Sequence, residues 1–173
     1  RCDFLIALEK FEQAAEFYLA EKEFEKFLKC QNHILRIFAE QEQNEKIGVL
    51  KERLQDLVLK EGFELNSKTY YTLGICASYK GQFDVAQDYF QKALNLALGK
   101  DSKSDICYAI NGLAITYYHQ NKLHEALKEI YNLQVFFQVM PMPDLQLSSQ
   151  MLNGHILRKL RKYEQAQEIL WQC

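Results

Sequence analysis

The sequence is poor in residues that stop helices. Among its 173 residues are only 2 prolines and 7 glycines. So few turn-formers in so long a chain argue for long helices joined by short turns. No apolar run approaches the ~20 residues needed to span a bilayer. The stretch Phe4-Leu5-Ile6-Ala7-Leu8 is too short for a signal peptide and runs straight into Glu9, Lys10 and Glu12. Charge of one sign is also scarce. The formal net charge is −2, which gives no general attraction to nucleic acid or to an anionic membrane. The 5 cysteines, Cys2, Cys30, Cys76, Cys107 and Cys173, form no C-x-x-C pair. An odd number without metal-ligand spacing points to reduced thiols and a cytoplasmic protein.

Catalytic and metal-binding patterns are missing too. There is no Gly-rich phosphate loop. His33, His119, His124 and His155 have no His, Cys or acidic partner at the i,i+4 spacing that a metal would demand. No Cys/His or Ser/His pairing stands out as nucleophile and base. The expectation is a non-enzyme with no catalytic residue, no cofactor and no metal site. Cys76 and Cys107 sit among apolar neighbours and read as core filler.

What the chain does have is apolar material, 48% of it hydrophobic. That suffices for one substantial core or a short array, and it excludes a disordered chain. Apolar residues recur at intervals of three and four through Phe4, Leu8, Phe11, Ala14, Ala15 and Tyr18. They do so again through Phe24, Phe27, Leu28, Ile34, Leu35 and Phe38, and through Ile47, Leu50, Leu54, Leu57 and Val58. Three helices are expected there, the third stopped by Gly62. Ser67 is a plausible N-cap for a fourth helix running to Lys80, with Gly81 as the turn. A fifth runs from Phe83 to Leu98 and ends at Gly99. A sixth, capped by Asp101 or Ser102, runs to about Gln120, where Asn121 tolerates the turn conformation. A seventh runs from Leu123 to about Val139, before Pro141 and Pro143 interrupt. An eighth runs from about Asp144 to Leu160, and a ninth begins near Tyr163.

Ala86, Ala126 and Ala166 stand 40 residues apart (126 − 86 and 166 − 126). Around them Gly81-Gln82-Phe83 aligns with Asn121-Lys122-Leu123 and Arg161-Lys162-Tyr163. Leu73-Gly74 aligns with Leu113-Ala114 and, less well, Asn153-Gly154; Phe90 aligns with Ile130 and Leu170. A small residue belongs where two antiparallel helices approach closely, with large apolar residues filling the groove around it. This pattern resembles the tetratricopeptide repeat. In the best copy Tyr70, Leu73, Gly74, Gly81, Phe83, Ala86, Phe90 and Ala93 fill the family's places. Ala77 stands where the family has Tyr, and Tyr117 supplies it in the second copy. Leu98 replaces the terminal Pro, and Asn153 replaces Leu in the third. The period of about 40 exceeds the family's usual ~34, so each helix is longer by roughly 4–5 Å. Long repeats of this kind occur in kinesin light chains and bacterial peptide-sensing regulators.

The resemblance implies an all-α, right-handed solenoid of antiparallel helix pairs, about nine helices in all. Residues 67–173 form three repeats, the last truncated. Residues 1–66 form degenerate helices, the first of them the second half of an earlier pair. In the next pair the small residue falls at Ile47 or Gly48. The chain starts at Arg1 rather than Met and stops in mid-pattern at Cys173, as a slice of a longer protein does. A slice exposes apolar end faces, which predicts self-association or a neighbouring domain.

In this family the first helix of each pair lines a concave groove. The family's groove offsets fall here on Tyr71, Ile75 and Tyr79; on Tyr108, Asn111, Ile115, Tyr118 and His119; and on Met151, His155, Arg158 and Lys159. Tyr and Met suit a binding surface, and Asn111 offers an amide donor and acceptor to a peptide backbone. The same tyrosines are also the size to pack against a neighbouring repeat. Arg158, Lys159, Arg161 and Lys162 read either as a solvated helix end or as a phosphate or acidic-peptide contact. Co-chaperones of the family that grip chaperone C-termini use Lys and Asn where this chain has Tyr71 and Ile75, so that carboxylate clamp is absent. The implied function is protein or peptide binding, as an adaptor or assembly scaffold, with no membrane and no direct nucleic-acid binding. The alternative is a peptide-sensing domain of a transcriptional or signalling regulator.

Overall fold

The computed structural model describes residues 2–171, with side chains from Phe4 onward. The expected reduced state of Cys173 and of the Cys2 thiol lies outside those residues. The described residues form nine helices and no strand: α1 (Cys2–Ala20), α2 (Phe24–Glu40), α3 (Asn44–Glu61), α4 (Ser67–Tyr79), α5 (Phe83–Gly99), α6 (Lys103–His119), α7 (Leu123–Val139), α8 (Pro143–Lys159) and α9 (Tyr163–Trp171). The helices α5 to α8 have 17 residues each, about 25 Å of rise. Three-residue turns bring the unit to 20, and two units make the 40-residue period.

One turn design recurs. Lys22, Glu42, Gly81, Asp101, Asn121 and Arg161 all have φ between 49° and 70°. Each donates its amide to the carbonyl three residues back, as Asn121 does to Tyr118 at 3.1 Å. The following residue donates to the carbonyl five back, as Lys122 does to Tyr117 at 2.8 Å. This pair of bonds satisfies carbonyls that a helix end leaves open. The same following residue also starts the next helix, its carbonyl accepting the amide of Phe27, Ile47, Ala86, Ile106, Ala126 or Ala166. Gly62 (φ 71°) closes α3 with a single bond to Val58 at 3.0 Å.

One local expectation is corrected. The N-cap of α4 is Asn66, not Ser67: Asn66 Oδ1 accepts from the Thr69 amide at 2.9 Å and from the Thr69 hydroxyl at 3.0 Å. Ser67 is instead a buried first-turn residue. Helix α5 ends at Gly99 as expected, and the left-handed residue that follows it is Asp101. Spacing decides this, because the carbonyls to be closed are fixed by where the apolar face ends.

The chain divides into two compact units, one up to Tyr89 and one from Phe90 onward. The core of the first unit joins Ala15, Phe27, Leu28, Leu35, Ile47, Leu54, Phe63 and Leu73. Phe63 stacks on Phe24 at 4.5 Å and meets Phe27 edge-on at 6.1 Å, which ties the extended link after Gly62 to α2. The core of the second unit has one cluster around Cys107, Ile110 and Leu133 and another around Ala126, Ile130 and Ile156.

In the second unit α6 packs closely on α7, and α8 on α9. In the first, α1 packs closely on α2 while α3 lies loosely against it. Ile47 bonds its amide to the Gln43 carbonyl at 3.2 Å, as Ala86, Ala126 and Ala166 do in their turns, and it is buried. A cleft of about 560 Å³ opens between α1, α2 and α3.

Candidate functional site

The residues expected to line a groove lie on three helices, and each helix gathers its own on one face. On α4, Tyr71, Ile75 and Tyr79 follow one another at one-turn spacing. Tyr71 and Ile75 are half-buried and Tyr79 is exposed. On α6, Tyr108 and His119 are exposed, Ile115 and Tyr118 half-buried, and Asn111 buried. On α8, Met151, Arg158 and Lys159 are exposed and His155 is half-buried.

The helices α6 and α8 belong to the same unit, and they meet. Leu152 and Ile156 of α8 share a buried cluster with Ala114 of α6, and Ile115 and Tyr118 pack against that cluster. Lys159 Nζ stands 4.1 Å from the centroid of the Tyr118 ring, and the Tyr118 and His119 rings meet edge-on at 5.4 Å. The structure thus brings Ile115, Tyr118 and Lys159 together across the two helices. A half-buried ring that holds an ammonium on its face offers apolar area and a fixed positive charge side by side. Such a pair suits a segment that carries an apolar side chain next to a carboxylate. Asn111 is 5% exposed and its Oδ1 has no hydrogen-bond partner. A buried acceptor left open costs free energy.

Of the basic run, Arg158 and Lys159 lie in the last turn of α8 and Arg161 forms the turn. The backbone of Arg161 and Lys162 closes the helix end through Arg158 and Leu157. That geometry is the solvated helix end, with Lys159 alone committed to a partner ring among the contacts described.

The remaining reactive groups are held quiet. Cys30, Cys76 and Cys107 are buried free thiols. Burial pushes the Cys76 thiol up to about 11, and the group contacts the Leu35 carbonyl at 3.7 Å. Burial likewise raises Cys30 and Cys107, so all three stay protonated and weakly nucleophilic at neutral pH. His33 stacks on Phe11 at 4.6 Å. Burial first, then Arg36 and Lys29, lowers its pKa below the ordinary value.

Reasoning from repeat offsets missed the cleft of the first unit. One signal was present: Gln31 among the apolar positions of α2.

These elements define a class: helix pairs of 40-residue period, closed by small residues, with one helix of each pair presenting aromatic and polar side chains. Residues 65–129 match the tetratricopeptide repeat family model. That segment carries tetratricopeptide repeats of the long type. The fold of the chain is that of a tetratricopeptide-like α-solenoid, by its likeness to solved structures. The kinesin light chain-like, nearly identical TPR-like repeats of Podosopora anserina align at a TM-score of 0.68 and 17% identity, over 98% of this chain and 84% of that one. A single-substitution variant of the same protein aligns at a TM-score of 0.70, with the same identity and coverage. No curated protein matches the sequence. No helix among the described residues is long and apolar enough to cross a membrane.

Proposed function

We propose that this chain is a non-enzymatic adaptor or assembly scaffold that binds a protein or peptide segment on the face shared by α6 and α8. The observation that carries the reading is Lys159 seated over the half-buried Tyr118, beside Ile115. The bound segment would lay an apolar side chain on Ile115 and Tyr118, and a carboxylate beside Lys159. Asn111 would hold its backbone, and Tyr108, Met151, His155, Arg158 and His119 would form the rim. The α4 face of Tyr71, Ile75 and Tyr79 is proposed as a second contact surface. Affinity would come from the buried aromatic, with the polar groups fixing orientation. We place the protein in the cytoplasm, in keeping with its buried free thiols, and assign it no direct nucleic-acid contact. Exposed Leu5, Ile6 and Phe17 on α1 are where copies would self-associate at high concentration.

The test is an affinity capture followed by mass spectrometry, repeated with Tyr118→Ala and with Lys159→Glu. Both variants should keep the native circular dichroism and lose the captured partner. Retention of the same partners by both, with the fold intact, sinks the assignment.

A further inference from the structure

The face shared by α6 and α8 suits an apolar side chain beside a carboxylate, and the chain itself displays that combination on α1. Ile6 and Phe17 are 58% and 60% exposed. They stand 11 residues apart (17 − 6), a rise of about 16 Å that returns them to one side of the helix. Glu9 and Glu16 are exposed beside them. Gln13 Nε2 donates to Glu9 at 3.1 Å, while Glu16 makes no ion pair among the described residues. The one base on α1 is Lys10, which donates to Gln13 at 3.4 Å. The α6 and α8 face has the opposite sign. No acidic residue follows Asp105 on α6 or Asp144 on α8, and Arg158 and Lys159 stand in the last turn of α8. The apolar rail from Tyr108 to Tyr118 spans 10 residues (118 − 108), about 15 Å and so the length of the α1 stripe.

We propose that α1 of a second copy of this chain docks on the α6 and α8 face. Phe17 lies on Ile115 and Tyr118, Glu16 reaches Lys159, and Ile6 ends on Tyr108. An amphipathic helix lays its apolar stripe on a partner surface in this way, and opposite charges fix its register. Charge also separates α1 from the chain's other exposed apolar stripes. Tyr131, Val135 and Val139 of α7 have no acidic residue among them after Glu129. Tyr163 and Trp171 stand on α9, which opens on Arg161 and Lys162, bases of the same sign as Lys159. The docking rests on the reading of the α6 and α8 face as a binding site, and it names an occupant. A second copy and a captured partner would then exclude one another there.

The test is sedimentation equilibrium of the full chain, of Glu16→Lys, of Lys159→Glu, and of the two variants mixed. The native chain should self-associate. Each variant alone should do so about tenfold more weakly, because like charges then meet across the contact. An equal mixture of the two should regain the native association, since each substitution supplies the charge that the other has lost. Phe17→Ser should weaken association as well. Leu59→Ser, at a still more exposed position on α3, should leave it unchanged. Circular dichroism checks that every variant keeps its fold. A native chain that stays monomeric overturns the proposal, and so does a mixture no more associated than its components. Undiminished association of Lys159→Glu overturns it too. If that variant nonetheless loses the captured partner, the α6 and α8 face stands and only its second-copy occupant is wrong.

Discussion

Gly112 sits in the interior of α6 with no room above its α-carbon. A Cβ added there would lie 2.5 Å from Phe90 Cε1, 2.6 Å from Cδ1 and 2.8 Å from Cζ. Carbon atoms in contact stand about 3.5–4.0 Å apart, so the ring must retreat by about 1 Å. It has nowhere to go, because Phe90 is 1% exposed and its flat ring cannot fold aside. Overpacking of this kind costs about 2–3 kcal/mol at the upper end of its range. Alanine returns up to ~1 kcal/mol of helix propensity. Gly112→Ala should therefore lose about 1–2 kcal/mol. Gly99, in the same unit and still helical, has nothing within 4 Å of its added Cβ, and Gly99→Ala should gain a few tenths of a kcal/mol. Urea denaturation followed at 222 nm measures both, with unchanged slopes as the control on the unfolded state. Adding Phe90→Leu to Gly112→Ala should cost less than Phe90→Leu alone, since the clash is gone. A Gly112→Ala variant as stable as Gly99→Ala would refute the close packing of α6 on Phe90.

Other perturbations reach different parts of the chain. Asn66→Ala removes the cap of α4 and strands the buried Thr69 hydroxyl, so a loss of about 1–2 kcal/mol is expected in the same denaturation assay. Glu42→Gly and Arg161→Gly relieve left-handed residues at φ 56° and 60° and should each gain about 0.5–1 kcal/mol. Gly81→Ala, at φ 70°, should lose about 1 kcal/mol. His33 has a folded pKa below its ordinary 6.5, so the unfolded chain takes up its proton first. Its contribution is present above that value and is lost as pH falls through the lower folded value. Denaturation midpoints measured from pH 7.5 to 5 should decline, and His33→Asn should flatten that decline.

The positions of the turns were legible in the sequence, but their chemistry was only partly so. Gly81 and Asn121 announce a left-handed residue by type. Asp101 does so more weakly; Lys22, Glu42 and Arg161 do not, because there the conformation is imposed by the two helices that must be joined. Asn66 outcompetes Ser67 because the cap is set by where Thr69 buries its amide, a tertiary fact. Tyr118 and Lys159 were each readable from repeat offsets. Their contact was not, since it depends on how closely α8 approaches α6. The cleft beneath α1 and α3 was least legible. It depends on how closely α3 approaches α2, which no offset records.

The shared residue of each turn has a consequence for how such a chain tolerates change. Glu23, Gln43, Ser102 and Lys122 each finish one helix and begin the next, so the joints have no slack. One residue inserted at such a joint would break both sets of bonds and turn the next helix by about 100°, carrying its apolar stripe off the core. A block cut from one left-handed residue to the next would bring its own closures at both ends. Lengthening or shortening the array is therefore a matter of whole forty-residue helix pairs, and single-residue drift is confined to the two links built differently, after Gly62 and around Pro141.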